Sequence, residues 1–166
     1  MLAINFERTP IFEFGNQSFN PVDLGLPSGR KWASCNVGAK SQDDCGYMMD
    51  FDTANAIEFQ DGWHVPSPED FKELVANCES EWTLSNGVPG RIFKSKINGN
   101  SIFLPAAGYR HDGDLDNASS RGYYCLSSLS TNYSRYAFNF IFDSGNCDLY
   151  NGSRVNGLSV RPVCDQ

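Results

Sequence analysis

The sequence predicts an α+β domain, on three observations. "SPEDFKELVANC", at residues 67–78, reads as a capped amphipathic helix. "YAFNFIFD", at 136–143, alternates apolar and polar side chains like a half-buried strand. Between them, two strand-like runs flank Asn98-Gly99, a dipeptide suited to tight turns between antiparallel strands.

Taken in order, residues 1–20 read as an irregular lead-in with one alternating stretch, Ile11-Phe12-Glu13-Phe14, and residues 21–166 as the domain. Gly25, Pro27, Ser28 and Gly29 supply turns ahead of a short strand over Lys31–Cys35. Asp52 is placed to cap a short helix over Thr53–Phe59. In the longer helix Ser67 is the N-cap, Pro68 suits the first turn, and Asp70 closes a capping box. Phe71, Leu74, Val75 and Cys78 then form one apolar stripe. At Asn98-Gly99 both turn positions are expected at positive φ. Short strands joined by long loops follow. In the 136–143 run, Phe138, Phe140 and Phe142 take the core side, leaving Ile141 and Asp143 outward.

The chain has 166 residues, 40% hydrophobic and 20% charged, which fits one folded domain. A net charge of −7 argues against nucleic acid and anionic membranes as partners. No apolar run approaches the roughly 20 residues of a spanning helix, so direct membrane insertion is not expected. "MLAINFERTPIFEFG" lacks a basic segment leading into an apolar one, so no signal peptide is expected. The six cysteines are widely spaced without a CxxC pair, which favours free thiols over a disulfide framework. His64 and His111 lie far from any paired cysteines, so zinc is not expected. Asp112, Asp114 and Asp116 have the opening spacing of a calcium loop. Asn117 stands where such a loop needs glycine, and Tyr123 where it needs glutamate, so they read as a solvated acidic turn. His64, just ahead of Pro66 and the helix cap, reads as structural. With no nucleophile motif or phosphate-binding glycine loop, neither catalysis nor a cofactor is expected.

Several phrases occur together in one order: "VDLGLPSGRKWASCNVGA", "DGWHVPSPEDFKEL", "NGNSIFLPAAGYR", "SSL" after Gly-Tyr-Tyr, and "GLSVRPV". In combination they resemble the Fibrobacter succinogenes major paralogous domain family, abundant in gut Bacteroidetes and their phages. The resemblance spans about Pro21 to Val163. It implies a C-type-lectin-like fold: two helices, a small core sheet with the chain ends close together, and a large loop-bearing face. The glutamate-proline-asparagine and tryptophan-asparagine-aspartate calcium motifs of sugar-binding C-type lectins are absent, so calcium-dependent sugar binding is not implied.

The tail from Arg121 to Val163 further resembles the variable region of proteins diversified by retroelements. In those systems a template is reverse transcribed with errors at adenines. Template Asn codons then become codons that cannot encode Lys, Glu, Gln, Trp or Met. Residues 1–117 contain 21 of these five types, whereas none stands between Ala118 and Asp165. Under uniform composition the chance of such a gap is about 10⁻⁴. The competing explanation is that short strands and loops avoid Lys and Glu.

The resemblance implies diversified, ligand-contacting sites at Tyr123, Ser130, Tyr133, Arg135, Tyr136, Ile141, Asp143, Asp148, Tyr150, Gly152, Ser153, Val155 and Asn156, with Leu158 a weaker candidate, inside a variable region over 118–163. It implies fixed scaffold at Ser127, Ser128, Leu129, Ala137, Phe142, Ser144, Gly145, Arg154, Gly157 and a strand over Ser159–Val163. Cys125-Leu126 departs from the family, which carries Trp-Ser there. Tyr, Arg, Asn, Ser and Gly are also the residues of adaptable binding surfaces. The implied function is recognition of a protein or glycan on a cell surface, by a chain displayed on a virion or bacterial cell. A relative of the formylglycine-generating enzymes, which use cysteines, and a non-diversified adhesion domain are the alternatives.

Overall fold

In the computed structural model, which describes residues 14–165, these residues form an α+β arrangement of mostly antiparallel sheets, and the elements among them include two helices. The first strands are β1 (Pro21–Val22) and β2 (Lys31–Ala33), followed by α1 (Phe51–Asn55), β3 (Trp63–His64) and α2 (Pro68–Asn77). The remaining strands are β4 (Cys78–Ser85), β5 (Val88–Ser95), β6 (Ser101–Pro105), β7 (Tyr109–His111), β8 (Asp114–Asp116), β9 (Gly122–Leu129), β10 (Tyr136–Phe142), β11 (Cys147–Ser153) and β12 (Val163–Cys164). One sheet has the order β1-β2-β12-β3, so the last strand lies between two of the first. Two three-stranded sheets, β4-β5-β6 and β11-β10-β9, and the hairpin β7-β8 complete the fold.

Helix α2 forms as its sequence requires. Ser67 accepts from the Asp70 amide, and the Asp70 carboxylate accepts from the Ser67 amide at 2.7 Å. Arg30 donates to the buried Asp70 at 2.5 Å, tying the helix start to the loop before β2. Phe71 and Leu74 are buried and Cys78 closes the stripe, but Val75 is 40% exposed over a hollow lined by Phe140 and Leu149. Helix α1 starts two residues earlier than the sequence indicates. Asp50, not Asp52, is its cap, accepting from the Thr53 amide at 2.8 Å, while Asp52 pairs with Arg154. Two carboxylates this close offer rival caps, and the tertiary ion pair takes one of them.

Turns hold the other differences. Between β5 and β6 only Gly99 has positive φ, because the loop is longer than two residues and the Asn98 amide is drawn to Asp23 O at 2.8 Å. The two-residue turn with both φ positive is instead Asn86-Gly87, joining β4 to β5. Asp112-Gly113 makes the same kind of turn, placing Asp114 and Asp116 on a solvated hairpin. Ser159–Val163 is extended but mostly not a strand. It is held by single bonds, Cys125 N to Ser159 O (2.8 Å) and Val37 N to Val160 O (2.9 Å), and only Val163 and Cys164 pair regularly.

Two apolar clusters form the core. Trp32, Phe71, Phe93, Tyr124, Phe140 and Phe142 dominate the first, where Phe71 stacks on Phe140 with centroids 3.9 Å apart. Val37, Met49, Trp63, Tyr123, Cys125 and Val160 anchor the second. Strand β9 feeds both, sending alternate side chains to opposite faces. Phe14 and Phe19, ahead of Pro21, pack in the second cluster, whereas Ile11–Glu13 of the expected alternating stretch lie outside the described residues. Buried Arg161 donates to Asn36 Oδ1 (2.7 Å), Phe103 O (2.8 Å) and Ala33 O (3.2 Å), joining three distant segments.

Candidate binding surface

The site is built on β10, the middle strand of its sheet. Phe140 and Phe142 are buried and Phe138 half-buried on the core side. The opposite side carries Asn139 and Ile141, and the register brings neighbours onto the same side: Tyr150 opposite Asn139, and Tyr123 and Asp148 flanking Ile141. The loops 130–135 and 154–157 leave from the same end of this sheet, where Leu129, Ala137 and Gly152 are paired.

Beside this face is a cleft of about 370 Å³. Seven of the sites implied by the sequence line it: Tyr123, Tyr136, Ile141, Tyr150, Gly152, Ser153 and Asn156. The weaker candidate Leu158 is there too, 4% exposed. Tyr123 is floor rather than rim: it is 8% exposed, packs against Tyr109, and its hydroxyl accepts from Asn117 Nδ2 at 3.0 Å. Gly152 is buried as well, and a Cβ there would run into the Asn139 side-chain amide.

Other implied sites surround the cleft or lie apart. Tyr133 is 65% exposed and meets the Tyr136 ring edge-on, centroids 6.0 Å apart, so it extends the cleft's lip. Arg135 is exposed, and its carbonyl accepts from Arg154 N at 3.0 Å. Val155 is 70% exposed on the neighbouring loop. Half-buried Ser130 donates its amide to Tyr136 O at 2.8 Å, closing the loop between β9 and β10. Asp148 is exposed but borders the hollow beside α2. Asp143 lies at the far end of β10, where its carboxylate accepts from the Gly145 and Asn146 amides, at 2.8 and 2.9 Å. Those bonds hold its pKa below the usual carboxylate range. Its position makes it a turn residue outside the cleft lining, near enough to Arg121 for the two charges to act on each other.

Among the scaffold positions, Arg154 acts as a strut, donating to Ser134 O at 2.9 Å, pairing with Asp52 and lying over the Phe51 ring. Ser127 is exposed, its amide donating to Pro66 O at 2.9 Å.

Four lining residues were not anticipated: Tyr109, Arg121, Asn139 and Asn151. Asn139 was accessible to reasoning, because the alternation that sends Phe138 and Phe140 inward puts it beside Ile141. Tyr109 and Arg121 reach the cleft through the β7 and β9 backbones, joined by Gly108 N to Arg121 O at 2.8 Å, and no local pattern signals that pairing. Burial, then Asp116 and the neighbouring tyrosines, raise the Tyr109 pKa. At the rim, His111 Nδ1 lies 2.9 Å from Asn156 Oδ1, and that hydrogen bond together with Asp112 raises the histidine pKa.

Among the described residues no group of three or more His, Cys, Asp or Glu is placed to hold a metal ion. No helix there is long and apolar enough to cross a membrane. Burial pushes the Cys78 thiol up to about 11 and Cys125 up to about 12, which leaves both protonated and unreactive near neutral pH. No protein-family model, curated protein or solved structure matches the chain.

Proposed function

We propose that this chain is a noncovalent recognition protein with a C-type-lectin-like fold, whose cleft and adjoining loops form a surface diversified by a retroelement. The observation that carries the reading is the meeting, at one cleft, of seven residues selected from the sequence alone. Support also comes from the split within β10, whose core-side phenylalanines are separate from its cleft-side Asn139 and Ile141. Such an arrangement lets contact residues change while the packed side stays constant. Tyrosine rings, amides and an arginine are the groups that dominate adaptable interfaces. The target is a protein or glycan on a cell surface, and display is on a virion or a bacterial cell.

The test lies in the flanking DNA. The reading requires a near-copy of the codons for residues 118–163, differing only where the copy has adenine, beside a reverse transcriptase gene. Sister genes that differ evenly along their length would instead mark an adhesion domain without diversification. Thiol-reactivity mapping of Cys35, Cys45 and Cys78 tests the enzymatic alternative, which needs a reactive pair.

A further inference from the structure

Resting on that reading of the cleft, we propose that its floor in this chain is an anchoring subsite for the carboxylate of an acidic sugar, with Arg121 and the Asn139 amide as its polar contacts. Asn139 is 3% exposed, lines the cleft, and its side-chain amide has no hydrogen-bond partner among the described residues. Among the described residues Ser159 Oγ is the only fully buried side-chain polar atom without a partner, so the Asn139 amide is open to the cleft, where a ligand group can pair with it. Arg121 is exposed at the same cleft, where its hydrogen bond to Tyr123 and, more weakly, the Asp143 charge raise its pKa, and no carboxylate lies within ion-pair distance of it among the described residues. The chain has 20 Asp and Glu against 13 Lys and Arg, yet none of the cleft's lining residues is acidic. The carboxylates nearby, Asp116, Asp143 and Asp148, stand around the cleft and not in its lining. Tyr123 adds a donor, since its oxygen already accepts from Asn117 and its proton is left for the cleft.

Two features select a sugar acid over an acidic peptide. One is the floor itself, where β10 is paired on both sides and offers its ligand side chains only, the free strand edge beside the cleft being that of β11. In addition, Asn139 Nδ2 can donate to a carboxylate oxygen while Oδ1 accepts from an adjacent hydroxyl. A uronic acid supplies both groups on one ring, and the tyrosine rings present faces for its apolar side.

The experiment is an NMR titration of ¹⁵N-labelled protein with three probes: sodium D-glucuronate, methyl β-D-glucopyranoside and N-acetyl-L-glutamate amide. Glucuronate should shift the Asn139 side-chain NH₂ resonances and bind about tenfold more tightly than the neutral glucoside. Arg121→Gln, at an exposed position, should remove that advantage without changing the melting temperature. Gly152→Ser, which crowds the Asn139 amide, should weaken glucuronate binding. The proposal is overturned if the neutral sugar binds equally well, if the glutamate probe binds more tightly than glucuronate, if Arg121→Gln changes nothing, or if no probe moves Asn139. The flanking-DNA test involves no ligand, so failure with these probes removes the acidic-sugar subsite and leaves the recognition reading to its own test.

Discussion

Two sheets of this molecule share a construction and differ in what they present. β4-β5-β6 and β11-β10-β9 are both three-stranded and antiparallel, and both deliver apolar side chains to the same core: Phe93, Ile102 and Leu104 from one, Tyr124, Phe140 and Phe142 from the other. The first sheet turns Glu79, Glu81 and Lys94 to solvent, while half-buried Trp82 packs on the core side against Phe142. The second carries Asn139, Ile141, Asp148 and Tyr150 on its other face, with no Lys, Glu or Trp anywhere in its strands. Short strands in this fold therefore accept Glu and Lys readily. Strand geometry does not account for their absence from the tail, which weakens the explanation from β propensity. What separates the sheets is the use of the outward side: solvation in one, a cleft in the other.

The contrast implies that the core side of β10 is unforgiving and its loops permissive. The largest effect should come from Phe140→Ala, which removes the ring stacked on Phe71 and should cost about 3–5 kcal/mol in urea unfolding. A loss well under that would mean the second sheet is not integral to the core. Arg161→Met should follow, at about 3 kcal/mol or more, because three buried acceptors lose their donor together. Much smaller is the expected result for Tyr133→Ser, Tyr150→Ser and Val155→Ser, each within about 0.5 kcal/mol of the parent by calorimetry. A steep drop in melting temperature from these three would abolish the distinction between framework and surface.

The smallest effect concerns His111. Its pKa is raised in the folded state by the Asn156 hydrogen bond and by Asp112. Its contribution is thus fully present below the unfolded value, near 6.5, and is lost as pH rises through the folded value. The melting temperature should fall slightly over that window, and Asn156→Ala should flatten the change. An equal slope in the variant would leave Asp112 as the main cause.

Legibility followed the range of the interactions. Helix α2 was readable to its cap because Ser67, Pro68 and Asp70 act on each other over three residues. The Asn86-Gly87 hairpin carried the same dipeptide signal as Asn98-Gly99 and was equally available. Residue identity did not distinguish them; strand register did, since Ser85 pairs with Val88 across two residues whereas Ser95 N bonds Asn100 O across four. At the candidate site, alternation along β10 placed Ile141 and Asn139. It could not tell that Tyr123 would be floor, or that Asp143 would close a turn, since both depend on the register of β9 and β11 and on where β10 stops.

By itself the sequence determined the α+β class, the capping box of helix α2, the inward phenylalanines and the compositional break at residue 118, all properties of neighbours along the chain. Only the tertiary structure decided that Tyr109 and Arg121 stand beside Asn139, and that Arg161 rather than an apolar side chain holds three segments together. The reason is physical. Hydrogen bonds and packing between residues far apart in sequence depend on how whole elements dock, and no local period records that docking.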